Sequence, residues 1–348
     1  MMRLRLLAAI AALALVPGGS AWAESTPDVQ VPASLAWRIQ PSQRDDGKVQ
    51  FELSYRSAHS NVQYGHDLDL VELQGLDRAA LDGNGNAPVH FRLVRDAGSF
   101  DCEGAAWHGS GTGSCRFAPG ADFAAELARG GYGQANDVQL FLLALNDIGR
   151  AYIRTLAQQD YARPNVEELV AAGEHGVGLR YLTEMGALGY HVGTLAALIR
   201  MRDHGVGPDY IRSVVAAGLS DLPPETLVRM RDHGVSASYI GELRRLGYGG
   251  LGVERLIALR DHGISADYVG ALSRSGLSGL SLEDLVRLRD HGVTADYVAG
   301  LRGAGYAHFG PADIVRLRDN GITSDFARRA GAGGSVSVDE LIRMRNGG

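Results

Sequence analysis

Five histidines stand where a metal site would want imidazoles. His175, His204, His233, His262 and His291 follow one another at intervals of 29 residues. Four sit in the phrase Arg-Asp-His-Gly, at 202–205, 231–234, 260–263 and 289–292, and a variant, Arg318-Asp319-Asn320-Gly321, follows. Imidazole is the commonest metal ligand, so zinc chemistry is the first thing to weigh. Two imidazoles on one zinc must each bring a nitrogen within about 2.1 Å of the ion. Equivalent positions on packed helices lie roughly 8–10 Å apart, so a regular ladder does not close a tetrahedral site, and neither metal nor cofactor is expected. The other chemistry is capping: a histidine in the last turn of a helix can donate to its free carbonyls and, when protonated, suits the dipole. Asn320, in the same place, can also donate. His204, His233, His262 and His291, with Gly205, Gly234, Gly263 and Gly292, are therefore read as structural caps.

Two arginine rows accompany the histidines: Arg200, Arg229, Arg287 and Arg316, and Arg202, Arg231, Arg260, Arg289 and Arg318. An aspartate follows each member of the second row, which predicts ion pairs worth about 0.2–1 kcal/mol each when exposed. The competing use is an arginine-lined face for an acidic peptide, a carboxylate or a glycan. A tyrosine row (Tyr181, Tyr210, Tyr239, Tyr268, Tyr297, then Phe326) reads as packing between repeats, with the ring buried and the hydroxyl at the rim. It could instead grip an extended chain. The candidate binding surface is thus Tyr210, Tyr239, Tyr268 and Tyr297 with Arg202, Arg231, Arg260 and Arg289. No nucleophile motif or phosphate loop occurs, so no catalytic residue is assigned.

Rows of this kind need a scaffold that repeats with them, and a fixed period without insertions marks a stacked-repeat architecture. Each unit reads as two helices. The first opens at Asn165, Thr194, Pro223, Gly252, Ser281, Gly310 and, after a two-residue contraction, Ser337; four of these are good N-caps. Pro224 and Pro311 take the first helical position, where a missing N–H costs nothing. Aliphatic runs such as Leu285-Val286-Leu288 supply the core stripe. Glycine followed by Val206, Val235, Ile264, Val293 or Ile322 supplies a Schellman-type stop. The second helix opens at Gly207, Ser236, Ser265, Thr294 and Thr323 and ends at glycines such as Gly218 and Gly247. No unit can bury both stripes alone, so residues 164–347 are predicted to form an α-solenoid of about six and a half helix-turn-helix repeats.

Residues 37–160 read differently. Val49–Tyr55 alternates apolar and polar residues, as a half-buried strand does, and Leu68–Leu73 and His90–Val94 do likewise. After a turn at 95–98, Ser99–Glu103 and Ser114–Phe117 predict a β-hairpin with a glycine-rich tip (Gly109, Gly111, Gly113). Cys102 and Cys115 would staple its strands, worth about 3 kcal/mol for so short a loop. An amphipathic helix over 119–129 and one long helix over 137–159 are predicted to close the region and join it to the repeats. Asp82-Gly83-Asn84-Gly85-Asn86 has calcium-loop oxygens at three positions. Ala87 and Leu93 stand where glycine and a carboxylate are needed, so it reads as a turn between strands. His59, His66, His90 and His108 share no ligand spacing. An enzyme here would have to use Asp101, Glu103 or His108.

At the start of the chain, Arg3 and Arg5 precede an apolar run from Leu6 to Val16, and Ala21-Trp22-Ala23 is an A-x-A cleavage signal. Residues 1–23 are therefore expected to be a secretory signal peptide cleaved near Ala23, and 24–36 a flexible mature N-terminus. A periplasmic or secreted location follows, and two cysteines in an oxidising compartment pair most simply with each other. The 34 basic and 40 acidic residues give a formal charge of −6, which becomes −8 without Arg3 and Arg5. That balance excludes nucleic acid and anionic membrane as expected partners. No later stretch offers the roughly 18–20 apolar residues of a membrane helix.

The unit Leu-Val-Arg-Leu-Arg-Asp-His-Gly-Val-Thr-Ala-Asp-Tyr-Val (285–298) resembles short helical repeats of exported Gram-negative proteins. Similar repeats trail some BlaR-type antirepressor metallopeptidases. Phe91–Phe100, with the hairpin ending at Phe117, resembles the domain preceding those repeats. The peptidase half has no counterpart: His-Glu-x-x-His occurs nowhere in the sequence. The resemblance implies a periplasmic interaction module with a role in envelope sensing.

Together these readings give an α+β chain of two domains: a small disulfide-stapled antiparallel β domain followed by an α-solenoid of 29-residue repeats. The expected function is an exported scaffold for a protein or peptide partner, not an enzyme. The alternatives are a hydrolase with its site in the β domain and a purely structural envelope protein.

Overall fold

The computed structural model describes residues 30–43, 47–56, 61–331 and 335–347. The expected signal peptide and His59 lie outside these residues. The chain is mixed α+β: an antiparallel sheet comes first and helices follow. The strands are β1 (Leu35–Pro41), β2 (Lys48–Arg56), β3 (Asn61–Asp69), β4 (Leu73–Gln74), β5 (Ala87–Arg95), β6 (Gly98–Trp107) and β7 (Ser110–Pro119). They form one sheet in the order β3-β2-β1-β7-β6-β5-β4, every neighbouring pair antiparallel. β1 starts at Leu35, inside the stretch expected to be flexible, because Leu35 is buried opposite Cys115. A short helix, α1 (Arg78–Asp82), was not anticipated; Asp77 caps it through the Ala80 N–H. Residues 82–86 therefore connect a helix to a strand, rather than two strands.

Strand alternation fixes which face is covered. Leu35, Trp37 and Ile39 of β1, Phe51 and Leu53 of β2, and Phe91 and Leu93 of β5 all point to one side and are buried. Cys102 faces Cys115 across β6 and β7, and the two form a disulfide. The hairpin turns at His108-Gly109, both with positive φ (47° and 77°), as a two-residue primed turn needs. Gly111 and Gly113 thus lie inside β7 and not at the tip. Their reason is Trp37: a Cβ on Gly113 would sit 2.6 Å from its Nε1, and one on Gly104 2.6 Å from its ring. The indole lies against bare backbone and donates to the Glu103 carbonyl at 3.0 Å.

After α2 (Ala121–Arg129), the helices come in pairs. The long helix expected over 137–159 is broken into α3 (Asp137–Leu145) and α4 (Arg150–Gln158). The break is a turn in which Asp147 has φ 52°. Asn136 caps α3, 29 residues before Asn165, and Tyr152 falls 29 residues before Tyr181. This pair is a further unit in the same register. The apolar residues continue across the turn with helical spacing, and Asp147 replaces the glycine that marks every later turn, so the sequence pattern concealed it.

Next come α5 (Val166–Glu174), α6 (Leu179–Ala187), α7 (Leu195–Asp203) and α8 (Pro208–Ala216). They are followed by α9 (Pro224–Asp232), α10 (Ala237–Arg245), α11 (Val253–Asp261) and α12 (Ala266–Arg274). The series ends with α13 (Leu282–Asp290), α14 (Ala295–Gly303), α15 (Pro311–Asp319), α16 (Ser324–Ala330) and α17 (Val338–Gly347). Helices pack on the helix two places along, as α4 on α6, α12 on α14 and α13 on α15 do. First helices stop as their glycines require: Gly205 has φ 72°, and the Val206 N–H donates back to the Met201 carbonyl at 2.8 Å. That bond places Val206 in the core, where it is fully buried. α3 lies on the covered face of the sheet, its Phe141 ring edge-on to Tyr55, Phe100 and Phe117.

Candidate functional site

The repeated polar residues meet at the boundaries between units. Tyr181, Tyr210, Tyr239, Tyr268 and Tyr297 each occupy the first turn of a second helix and point into the next unit. Their hydroxyls donate to the carbonyls of Val206, Val235, Ile264, Val293 and Ile322 at 2.6–2.9 Å. The next unit returns an arginine. Arg202, Arg231, Arg260, Arg289 and Arg318 lie over these same rings at 4.8–5.4 Å from the centroid. Arg345 does the same over Phe326 at 6.0 Å, the contraction at 337 being absorbed. A cation over an aromatic face contributes about 0.5–1 kcal/mol at an exposed site, and a typical hydrogen bond about 1 kcal/mol.

A third contact closes each boundary. His175, His204, His262 and His291 set Nδ1 at 2.6–2.9 Å from the carboxylates of Asp203, Asp232, Asp290 and Asp319. His233 pairs with Asp261 in the same way. This corrects two sequence expectations. The imidazoles stand at the helix C-cap positions, but their side chains reach the following unit rather than the carbonyls of their own helix. The aspartates take histidine, not arginine, as partner. Asn320 does cap its own helix, donating to the Arg316 carbonyl at 2.8 Å. The Arg200 row pairs elsewhere: Arg200 with Glu225, Arg229 with Glu254 and Arg316 with Asp339.

Burial decides how these residues can be used. Tyr210, Tyr239 and Tyr297 are less than a tenth exposed, and burial pushes their hydroxyls up to about 12, against the opposing pull of the nearby arginines. Rings held between two units with their hydroxyls bonded are not presented to a ligand. The candidate binding surface of tyrosines and arginines is therefore brought together, but as an internal clasp.

The first boundary is built differently. Where later units have arginine, α5 has Gly173, and a Cβ there would meet the Asn146 Cβ at 2.7 Å. Tyr152 is fully buried, and its hydroxyl makes no hydrogen bond. In place of the clasp, the turn between β5 and β6 holds the turn between α3 and α4. Asp96 accepts from the Arg150 backbone N–H at 2.7 Å and from its guanidinium at 2.5 Å. Arg95 Nε lies 3.2 Å from Asp147, and its Nη1 donates to Glu72 at 2.9 Å. Beside these residues a cavity of about 240 Å³ opens between the sheet and the end of α3. The sequence reading missed this junction. Its one available signal was Asp147 standing in the column of Gly176, Gly205 and Gly234.

Asp101, Glu103 and His108, the residues of the enzymatic alternative, do not converge on this cavity. Asp101 pairs with His90 at 2.6 Å on the outer face, Glu103 lies 3.9 Å from Arg116, and His108 forms the hairpin turn. All three are exposed. Among the described residues no group of three His, Cys, Asp or Glu side chains is placed to hold a metal ion, and no helix is long and apolar enough to cross a membrane. Comparison of the chain with protein-family models, with curated proteins and with solved structures finds no match.

Proposed function

We propose that the chain is an exported envelope protein whose helical units stack into an α-solenoid and serve as an interaction scaffold for a protein or peptide. The sheet would form a second domain that covers the first unit, as terminal units of such arrays require. The observation that carries this reading is the clasp, repeated in one register at five successive boundaries. It joins each unit only to its neighbours, and it uses up the polar residues that recur in every unit. What remains to meet a partner is the exposed surface of the helices, where side chains differ from unit to unit. The resemblance of residues 285–298 to repeats of exported proteins favours the envelope. The apolar run before Ala23 does too.

The test has two arms. Mass measurement of the protein recovered from a periplasmic fraction should show an N-terminus near Glu24; retention of residues 1–23 would remove the envelope from the reading. A partner cross-linked in that compartment should bind the purified chain saturably and lose affinity when α9–α12, two whole units, are deleted in register. Loss of no affinity on that deletion would reject the helical scaffold. Absence of any saturable partner would favour a purely structural role.

A further inference from the structure

We propose that the cavity between the covered face of the sheet and the end of α3 is a binding site for a small primary amine carrying a short apolar body. Its volume of about 240 Å³ is roughly eight times the share of one water in the liquid, enough for a ligand of about ten heavy atoms. Phe51, Leu53 and Phe100 form an apolar floor, and Ala144 and Leu145 close it from the helix. A concave apolar site with a few convergent polar groups is how small-molecule sites are built.

The rim decides the charge of the ligand. It carries three carboxylates, Asp67, Glu72 and Asp147, against one guanidinium, that of Arg95. Arg95 is already bonded to two of those carboxylates. Its side chain is only 13 % exposed, so it has little to offer an anion. His66 Nε2 is occupied at 3.1 Å by the Leu145 carbonyl. The carbonyl end of α3 adds further negative potential. An ammonium group therefore fits the rim, and an acid does not.

Asp147 is the residue on which the site turns. The equivalent position in each following unit is glycine, from Gly176 to Gly321, with φ between 66° and 72°. Aspartate holds the same left-handed backbone here at φ 52°, a conformation that costs an L-residue roughly 1–2 kcal/mol. Burial also raises its carboxyl above the ordinary value despite Arg95 alongside. A bound cation would relieve that cost. The contact with Arg95 alone would make Asp147 a tether between sheet and helices, so the experiment has to separate the two roles.

The experiment is calorimetric titration of the full chain with 2-phenylethylamine, and with phenylacetate as the matched anion. The amine should bind one-to-one and raise the melting temperature, and phenylacetate should do neither. Asp147→Gly installs the residue of every later unit, so the turn is kept, and amine affinity should fall at least tenfold. Asp147→Asn, which also tolerates the left-handed backbone, carries the same expectation should the glycine variant melt early. Asp101→Asn, on the outer face, should bind as the parent does. Equal binding of amine and acid, no binding of the amine, or unchanged affinity in both Asp147 variants would overturn the assignment. A tether alone would lower the melting temperature and leave amine binding as it was.

Discussion

His204 Nδ1 lies 2.6 Å from Asp232 Oδ1, although the two residues are 28 positions apart and belong to different helical units. The pair is well over a third exposed on both sides, so solvent screens it and its contribution stays small. A double-mutant cycle with His204→Asn and Asp232→Asn should give a coupling of at most about 1 kcal/mol. The coupling should shrink as salt is raised past the point where the Debye length falls below about 8 Å. A coupling above twice that, or one insensitive to salt, would show that the contact is better shielded than its exposure implies.

The tyrosine bond should matter more, because it is buried. Tyr239 donates to the Ile264 carbonyl at 2.9 Å, and Tyr239→Phe leaves that carbonyl unpaired at a cost of about 1–2 kcal/mol. Tyr152 is the internal control. Its hydroxyl is buried without a partner, so Tyr152→Phe removes an uncompensated polar group and should be neutral or stabilising. Urea midpoints of the two variants decide the matter. Equal losses in both would mean that the ring environment, and not the hydrogen bond, sets the penalty.

How far the sequence reached is clearest from particular positions. The 29-residue period, the N-caps and the turn glycines were legible because each is a local requirement of a helix end. The partner of each histidine was not, because pairing across units is tertiary. Yet a trace of it existed. Where the next unit offers Asp203, Asp232, Asp261, Asp290 or Asp319, the preceding row holds histidine. Where it offers Glu174 or, after the contraction, Asn346, the row holds Asn146 or Asn320 instead. Reading the two rows jointly would have paired them. The break at Asp147 was hidden because Leu143, Ala144, Ile148 and Tyr152 keep helical spacing through the turn. The strand glycines were misplaced because their reason is the Trp37 ring on another strand.

Alkaline titration should unfold the helical units as their tyrosines ionise. Tyr181, Tyr210, Tyr239 and Tyr297 are raised from 10.0 to about 12 by burial. The folded state then binds more protons than the unfolded state between those values, so stability falls with rising pH there. The contribution is fully present below pH 10 and is lost as pH climbs through 12. Tyrosinate absorbance and far-ultraviolet circular dichroism should change together over that window. Ionisation near pH 10 with the helical signal intact would show that these hydroxyls are open to solvent.

Two glycines in the same column should respond differently to alanine. Gly234 has φ 69°, and Gly321 has φ 66°, so both substitutions pay a left-handed cost of roughly 1–2 kcal/mol. At Gly321 an added Cβ meets nothing within 4 Å, and that backbone cost is the whole effect. At Gly234 the Cβ would stand 3.0 Å from Arg260 Nη2, the guanidinium that covers Tyr239. The arginine has to shift off the ring, which adds the loss of a cation–π contact, about 0.5–1 kcal/mol. Gly234→Ala should therefore be the more destabilising of the two in chemical denaturation. Combining it with Arg260→Met, which removes the guanidinium beforehand, should cancel the excess. If the excess survives in that double variant, Arg260 is not what the glycine makes room for.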